Sequence, residues 1–445
     1  MPPEPVDLLI EARWVLPIAP VNTVFTDHAV AVTSGKIVAL GPIAQMNERF
    51  EARERVVRRE HALLPGFVNA HTRAAMTLFR GLPVHGPRSR WVRDTVRPVE
   101  QRCMRADFVR EGTQLAIAEM LRAGITSFAS TNLFPEEAAR VASAARMRAA
   151  IGLPVADSPN VWADSATAHF ERAEQLWDEY KSDPWVCLYF APHDAAEVSD
   201  DTLIRVRRVA DELDARIAME SPPLQRLHAL GLLRPGFAAI PQDAWNDAES
   251  ELVATTGICV IACLQSDLRL GVGSLGGAGR VGGDTATSGG ALRALLSGAG
   301  SSGGLSSVSK LVGQTVGLGS GDPASVGAID LLAEARVAAL LGAGSVSAAD
   351  ALRLATLGGA TALGFGADTG SIEPGKYADL VCVDLNRLAC QPTSSVPESI
   401  LFGATREQVS DVWTSGRVAV SDSHLLAFDE QELMASAQNW LARLG

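Results

Sequence analysis

The sequence predicts an α/β protein: a (β/α)8 barrel of the TIM type with a small β-sandwich domain formed from both chain ends. From about residue 63, eight short apolar runs alternate with helical patterns. Strands that alternate with helices form a parallel sheet, and eight such units close into a barrel. Before residue 63 and after residue 366, short apolar runs are separated by turn residues instead of helices, so both ends are predicted to form one β-domain.

The predicted barrel strands are residues 62–71, 124–130, 149–157, 186–193, 215–220, 237–244, 258–267 and 315–320. Helical patterns between them include residues 107–123, 135–149, 168–181 and 199–213. Ser199 with Asp200 and Asp201 is typical of a helix N-cap followed by an acidic first turn.

These patterns divide the chain into three parts. Residues 1–62 and 366–428 are predicted to form the composite small β-domain, residues 63–365 the barrel, and residues 429–445 a C-terminal helix. Residues 271–304 hold 13 of the 40 glycines. Such a run buries little apolar surface and loses much backbone entropy on ordering, so a flexible insert is expected there.

Composition excludes some functions. The net charge is −12, from 39 basic and 51 acidic residues, without the clustered basic face of a nucleic-acid-binding protein. No apolar run reaches transmembrane length and no basic region precedes an apolar leader, so we expect a cytoplasmic protein without a membrane partner. Six scattered cysteines predict buried thiols instead of a disulfide framework.

Four segments carry a resemblance to a known family: PGFVNAHTRAAMTLFRGL at 65–82, APH at 191–193, GSIEPGKYADL at 370–380 and QVSDVWTSGR at 408–417. In these the chain resembles the amidohydrolase superfamily, specifically the methylthioadenosine/S-adenosylhomocysteine deaminases and the related chlorohydrolases of the TRZ/ATZ type. The resemblance implies metal-assisted hydrolysis, in which zinc or iron acidifies a bound water and a glutamate and a histidine move protons. The implied ligands are an H-x-H pair after the first strand, a His after the fifth and an Asp after the eighth.

Most of these implied positions carry other residues. His71 keeps the first ligand, but Arg73 replaces the second, and an arginine has no lone pair to give a metal. Glu220 stands at the position of the third. Pro241 replaces the catalytic His, and Gly321 replaces the ligand Asp, with Asp322 one residue beyond. The segment after Glu220 is shortened and lacks the catalytic Glu. The sequence therefore predicts no metal ligand set, no catalytic residue and no bound cofactor.

The remaining polar residues at strand ends are candidates for lining a pocket. Glu220 is predicted to pair with Arg73, which would fill the space of the metal; alternatively the acids and His71 form a rearranged Mg or Mn site. His193 matches a substrate-contacting His of the family and is a further candidate for lining a pocket. Arg88, Arg90 and Arg93 favour a solvated face over a basic rim. The candidates are His71, Arg73, His193, Glu220, Asp243 and Asp322.

Three functional hypotheses follow. The leading one is a catalytically impaired homologue, a pseudoenzyme that binds a purine-like small molecule or forms a homo- or hetero-oligomer with an active paralogue. The second is an active hydrolase of non-peptide C–N bonds with a rearranged or metal-free site. The third is a decaying gene product without a selected function.

Overall fold

The computed structural model of the protein describes residues 2–86, 88–193, 197–242, 245–270, 316–342 and 344–444. Within these ranges it contains two sheets and the helices that surround them. The strands are β1 Glu4–Val15, β2 Phe25–Thr33, β3 Lys36–Pro42, β4 Phe50–Pro65, β5 Phe67–Thr72, β6 Ile125–Thr131, β7 Arg148–Val155, β8 Val186–Pro192, β9 Arg216–Glu220, β10 Phe237–Ile240, β11 Cys259–Ala262, β12 Val316–Leu318, β13 Leu380–Asp384, β14 Val409–Thr414, β15 Arg417–Ser421 and β16 His424–Leu425.

The α-helices are α1 Ile43–Arg49, α2 Arg88–Trp91, α3 Arg97–Cys103, α4 Ala106–Arg122, α5 Pro135–Ala145, α6 Ala166–Tyr180, α7 Asp200–Glu212, α8 Leu224–Ala229, α9 Asp247–Thr256, α10 Leu264–Arg269, α11 Pro323–Val326, α12 Leu331–Leu341, α13 Ala348–Arg353, α14 Gly359–Leu363, α15 Val396–Glu398 and α16 Glu430–Leu444. A π-helical turn, Val92–Val96, joins α2 to α3, and a 3-10 turn, Ala74–Phe79, follows β5. Further short turns are Leu354–Gly358, Leu388–Cys390, Ser399–Gly403 and Arg406–Gln408.

The first architectural feature is a parallel sheet of eight strands in the order β12-β11-β10-β9-β8-β7-β6-β5. A parallel bridge between Thr72 and Gly321 joins the last strand to the first, which closes the barrel. All eight predicted strands are present, and the predicted fold class is confirmed. The predicted N-cap is also confirmed, because the Ser199 side chain accepts a hydrogen bond from the Thr202 amide at the start of α7.

Two of the predicted strand runs are each divided between two elements in the structure. The run 62–71 is divided at Gly66: residues up to Pro65 belong to the other sheet, and the barrel strand begins at Phe67. A Cβ at Gly66 would lie 2.1 Å from Thr126 Oγ1, so only glycine fits this crossing. The run 258–267 becomes a short strand and α10, since the buried Glu334 carboxylate accepts the amides of Leu264 and Gln265 at the helix start.

The second feature is a mostly antiparallel sheet with strands from both chain ends, in the order β16-β15-β14-β13-β4-β1-β2-β3. The two ends meet where β13 pairs with β4, with Leu380 opposite Pro65 and Asp384 opposite His61. Both faces of the sheet are apolar: Leu8 and Ile10 pack in one cluster and Leu9 in another. The prediction that both ends build one β-domain is therefore confirmed.

Three further sequence predictions concern smaller features. All six cysteines are free thiols, and five of them are buried, as expected. In the described ranges, none of the helices is long and apolar enough to cross a membrane. The predicted flexible insert, residues 271–304, lies outside the described residues and stays a prediction.

Candidate functional site at the barrel mouth

The candidate site lies at the carboxyl ends of the barrel strands, where loops of such barrels carry their functional groups. Gly321, at the end of β12, is bound to the end of β5 by three contacts. Its amide donates to the His71 carbonyl (3.1 Å), and its own carbonyl accepts from the Thr72 hydroxyl (2.9 Å) and the Arg73 amide (3.4 Å). These bonds place His71, Arg73 and Asp322 at one edge of the mouth.

Arg73 does not pair with Glu220, which corrects the sequence prediction. Its guanidinium donates to Glu100 Oε1 at 2.9 Å and lies 3.9 Å from Asp322 Oδ2. Glu100 belongs to α3, and this helix brings a carboxylate to the mouth that strand ends alone do not supply. Burial opposes the charge on Arg73, but the carboxylates of Glu100, Asp322 and Glu220 outweigh it and raise the arginine's pKa. The side chain therefore stays cationic.

Glu220 is instead paired with Arg88, which the sequence analysis assigned to a solvated face. Arg88 Nη2 donates to Glu220 Oε2 at 3.2 Å, and the Arg88 side chain is only 18% exposed. Arg90 and Arg93, by contrast, are 70% and 67% exposed. The Gln242 amide donates to the same Glu220 oxygen at 2.5 Å, while His71 Nε2 lies 3.4 Å from Glu220 Oε1.

The charges around Glu220 decide its protonation. Burial alone would raise the pKa of this carboxyl, but the hydrogen bond and charge of His71 and the charges of Arg88 and Arg73 hold it well below its usual range. Asp322 differs, because burial raises its pKa despite the charge of Arg73 and the Ala324 amide that it accepts. Asp322 is thus both the N-cap of α11 and a buried partner of Arg73.

The charged cluster at the barrel mouth, formed around His71, Arg73, Arg88, Glu220 and Asp322, encloses little space. The described residues enclose a cavity in which only about 10 Å³ is open to the centre of a water molecule, enough for about one water. It is lined by His71, Arg73, Arg88, Pro241, Gln242, Cys263, Ser266, Asp267, Gly321 and Asp322, together with Ile240.

One pocket candidate, His193, lies apart from this cluster. The His193 side chain is 46% exposed, and its Nδ1 atom is 3.7 Å from Glu197 Oε2. It is not among the residues lining the cavity at His71. Asp243 falls outside the described residues, so its predicted place near the mouth stays a prediction.

The donors that the structure brings together do not fit the zinc or iron of the family. No group of three or more His, Cys, Asp or Glu side chains in the described part of the chain could hold a metal ion. The carboxylates nearest to His71 are already neutralised by guanidinium groups. Two unit charges 4 Å apart interact by about 4 kcal/mol at an effective dielectric of about 20, so an arginine about 4 Å from a divalent cation would repel it by roughly twice that.

The backbone at Gly321 disfavours the aspartate that the family resemblance implies there as a ligand. Gly321 has φ of +68°, a left-handed conformation in which a side chain is strained, and a Cβ there would lie 3.0 Å from Ser266 Cβ. An aspartate at this position would therefore be strained and would need Ser266 to shift by a few tenths of an ångström.

Three residues of the cluster escaped the sequence analysis as site residues: Arg88, Glu100 and Gln242. Gln242 follows Pro241 at a strand end, so the rule that strand ends form the mouth could have found it. Arg88 was considered and assigned to solvent. Glu100 lies within a helix 27 residues beyond Arg73, and no local pattern distinguishes it from a surface carboxylate.

Comparisons with known proteins agree with this architecture. The sequence model of the amidohydrolase family matches residues 62–221 and 291–419. The 5-methylthioadenosine/S-adenosylhomocysteine deaminase of Teredinibacter turnerae is 32% identical over 99% of this chain and 98% of its own length. The enzyme of the same description from Saccharophagus degradans is 30% identical over 99% and 97%.

Solved structures show the same fold over the full length. An adenosine deaminase from Xanthomonas campestris, crystallised with bound zinc, superposes with a TM-score of 0.90 and 37% identity. The alignment covers 100% of this chain and 99% of that one. The atrazine chlorohydrolase of Arthrobacter aurescens, with zinc, is 19% identical with a TM-score of 0.83 over 98% and 100% of the chains.

Proposed function

This chain belongs to the amidohydrolase family of the deaminase type, and we propose that it has lost metal-assisted deamination and acts as a non-catalytic member. The observation that carries the proposal is that Arg73 and Arg88 bind carboxylates where the family's chemistry needs a metal ion. A guanidinium cannot activate water as a Lewis acid, and its charge opposes a metal ion nearby. The salt-bridge network therefore substitutes for the metal as a structural element and not as a catalyst.

Loss of the proton carriers supports the same proposal. Pro241, at the position of the family's catalytic His, offers no side-chain acid or base. Asp322 is occupied as a helix cap and as a partner of Arg73. Glu220 is the carboxylate that contacts His71, and it is tied to Arg88 and Gln242.

The first test is the metal content of the purified protein after incubation with zinc, manganese or iron, with 5-methylthioadenosine deamination assayed on the same samples. The 5-methylthioadenosine/S-adenosylhomocysteine deaminase of Teredinibacter turnerae is the positive control for turnover, and the zinc-bound Xanthomonas campestris adenosine deaminase is the positive control for metal content. We expect substoichiometric metal and no turnover above background. One metal ion per chain with turnover comparable to the control would refute the proposal.

A gain-of-binding variant isolates the role of the arginine. Arg73→His with Glu220→His restores the H-x-H pair and the third His of the family pattern, and we expect a higher zinc content than in the unmodified protein. Arg73→Met removes the charge without adding a ligand and serves as the control. Equal zinc content in both variants would show that the added histidines do not form a site.

For the present role we propose partnership with a related chain. The chain aligns with deaminases over nearly its full length, so the fold is kept although its metal chemistry is not supported. Two large apolar side chains are exposed on α12 and on the turn Ser399–Gly403: Leu340 is 64% and Phe402 46% exposed. Arg336 of α12 joins this helix to the turn, because it donates to the Leu401 and Ala404 carbonyls. Coexpression with an active deaminase of the same cell and size-exclusion chromatography test this. Strictly monomeric elution of both chains would contradict it.

A metal-free hydrolase is the second candidate, favoured by one contact. His71 Nε2 lies 3.4 Å from Glu220 Oε1, and His71 Nδ1 has no hydrogen-bond partner among the described residues. A histidine oriented by a carboxylate can act as a general base. If this candidate is correct, His71→Ala and Glu220→Gln abolish hydrolysis of an amide or aminated heterocycle that the unmodified protein cleaves. Absence of any cleavage by the unmodified protein excludes it for the compounds tested.

A further inference from the structure

A second cleft lies on the opposite side of the molecule, where the small sheet meets the amino-terminal ends of the barrel strands. Its volume, including space open to solvent, is about 600 Å³. The walls come from two hairpin turns, at Ser34 and Ser415, and from residues just before β7 and β8, namely Arg146 and Trp185. The cleft is independent of the barrel mouth and of any function proposed there.

Arg148 does not line this cleft, but it contacts the lining residues Ser415 and Tyr377 from the buried side and so supports the floor. Its side chain is 8% exposed and lies 3.3 Å from both Asp379 Oδ2 and Ser415 Oγ. Its guanidinium also stands 4.4 Å from the centre of the Tyr377 ring. Asp379 neutralises Arg148, and the same carboxylate accepts the Ser415 amide at 2.7 Å. The floor is therefore fixed in position and contributes no net charge.

The walls, by contrast, carry positive charge without a matching acid. Arg146 and Arg417 line the cleft, and Lys36 stands 4.9 Å from the centre of the Tyr377 ring. In the described part of the chain, no carboxylate lies within salt-bridge distance of these three side chains. The neighbouring Asp183 is occupied by the Ser143 hydroxyl and the Trp185 amide. The chain as a whole has a net charge of −12, so the walls of this cleft are a region of positive charge on an acidic protein.

The backbone at Arg146 adds a second observation. Arg146 ends α5 in the left-handed conformation, with φ of +54°. Glycine is the usual residue at such a helix end, because a side chain there is strained. A non-glycine residue in this region often marks a functional position. Here the strained position carries one of the two arginines of the cleft.

We propose that this cleft binds a small aromatic molecule through its phosphate group. Arg146 and Arg417 provide planar guanidinium donors, which match the geometry of phosphate oxygens. Trp185 and Tyr377 are half-buried and line the same cleft, so an attached ring gains apolar and stacking contacts. The cationic walls bind the phosphate, and the aromatic residues favour phosphate esters of flat rings over inorganic phosphate.

Isothermal titration calorimetry of the full chain at low ionic strength, with phenyl phosphate and with inorganic phosphate, tests this assignment. We expect saturable binding of one phenyl phosphate per chain, several-fold tighter than inorganic phosphate. Arg146→Gln with Arg417→Gln keeps polar, unbranched side chains and removes two charges, and should weaken phenyl phosphate binding at least tenfold. Arg59→Gln with Arg208→Gln changes the net charge equally at exposed positions that do not line the cleft and should leave the affinity unchanged.

Each alternative result has a defined meaning. No saturable binding, or equal affinity in the cleft variant and the control variant, would overturn the site. Equal affinity for phenyl phosphate and inorganic phosphate would overturn the role of the aromatic walls. Thermal unfolding of both variants is measured alongside, and an unchanged transition in the cleft variant ensures that weaker binding reports lost contacts instead of lost structure.

Discussion

Replacement of Arg73 by methionine tests whether the buried charge network holds the barrel mouth together. Arg73 lies 2.9 Å from Glu100 and 3.9 Å from Asp322, whose side chains are 20% and 4% exposed. Breaking a buried ion pair costs about 3–5 kcal/mol, because the partner is left charged and desolvated. Glu100 regains part of its hydration, whereas Asp322 does not. We therefore expect the free energy of unfolding to fall by about 3 kcal/mol, at the lower end of that range.

The destabilisation caused by Arg73→Met should also depend on pH, in a direction that follows from Asp322. Burial already raises the pKa of Asp322, and removal of Arg73 takes away the charge that opposes this rise. In the variant, the carboxyl is therefore neutral at low pH and must ionise while buried as the pH rises. A group whose pKa is raised in the folded state stabilises it at low pH and loses that effect as the pH increases. The cost of Arg73→Met should be smaller at acidic than at alkaline pH.

Urea unfolding followed by circular dichroism at several pH values measures the effect. Asp322→Asn keeps the side-chain oxygen that caps α11 and removes the charge, so it completes a double-mutant cycle with Arg73→Met. We expect a coupling free energy of about 1–3 kcal/mol between the two positions. An Arg73→Met cost under about 1 kcal/mol, without pH dependence and without coupling to Asp322, would refute the reasoning.

Three further predictions concern other parts of the molecule. The pKa of Glu220 is held low in the folded state, so the protein should be more stable than its Glu220→Gln variant above pH 4.5 and lose this advantage as the pH falls below it. Urea midpoints of the two proteins that differ equally at acid and neutral pH would contradict this. Asp411→Ala removes the bidentate partner of Arg58 in the small sheet (2.5 and 2.6 Å) and should lower the free energy of unfolding by about 3 kcal/mol. An unchanged urea midpoint would show that this pair does not stabilise the fold. Ser199→Ala removes the cap of α7 and should cost about 1 kcal/mol, with Ser199→Gly costing less; equal stability of all three proteins would show that the cap contributes nothing.

The fold was readable from the sequence because it depends on local, repeated patterns. Apolar runs separated by helical periodicity predict parallel strands, and the eight runs here became β5 to β12. Ser199 predicted a helix start because a cap needs only residues within one turn. The returning β-domain was predicted because turn-separated runs occur at both ends, and β13 pairs with β4 as that pattern requires.

The charge partners at the barrel mouth could be decided only by the tertiary structure. The resemblance predicted that Arg73 and Glu220 stand at the positions of metal ligands, and the simplest interpretation paired them with each other. The fold instead brings Glu100 of α3 to Arg73 and Arg88 of α2 to Glu220. Both partners come from the helical segment that follows the first barrel strand. Where that segment crosses the mouth depends on packing between distant residues, and ion pairing depends on distances of a few ångströms that no sequence spacing specifies.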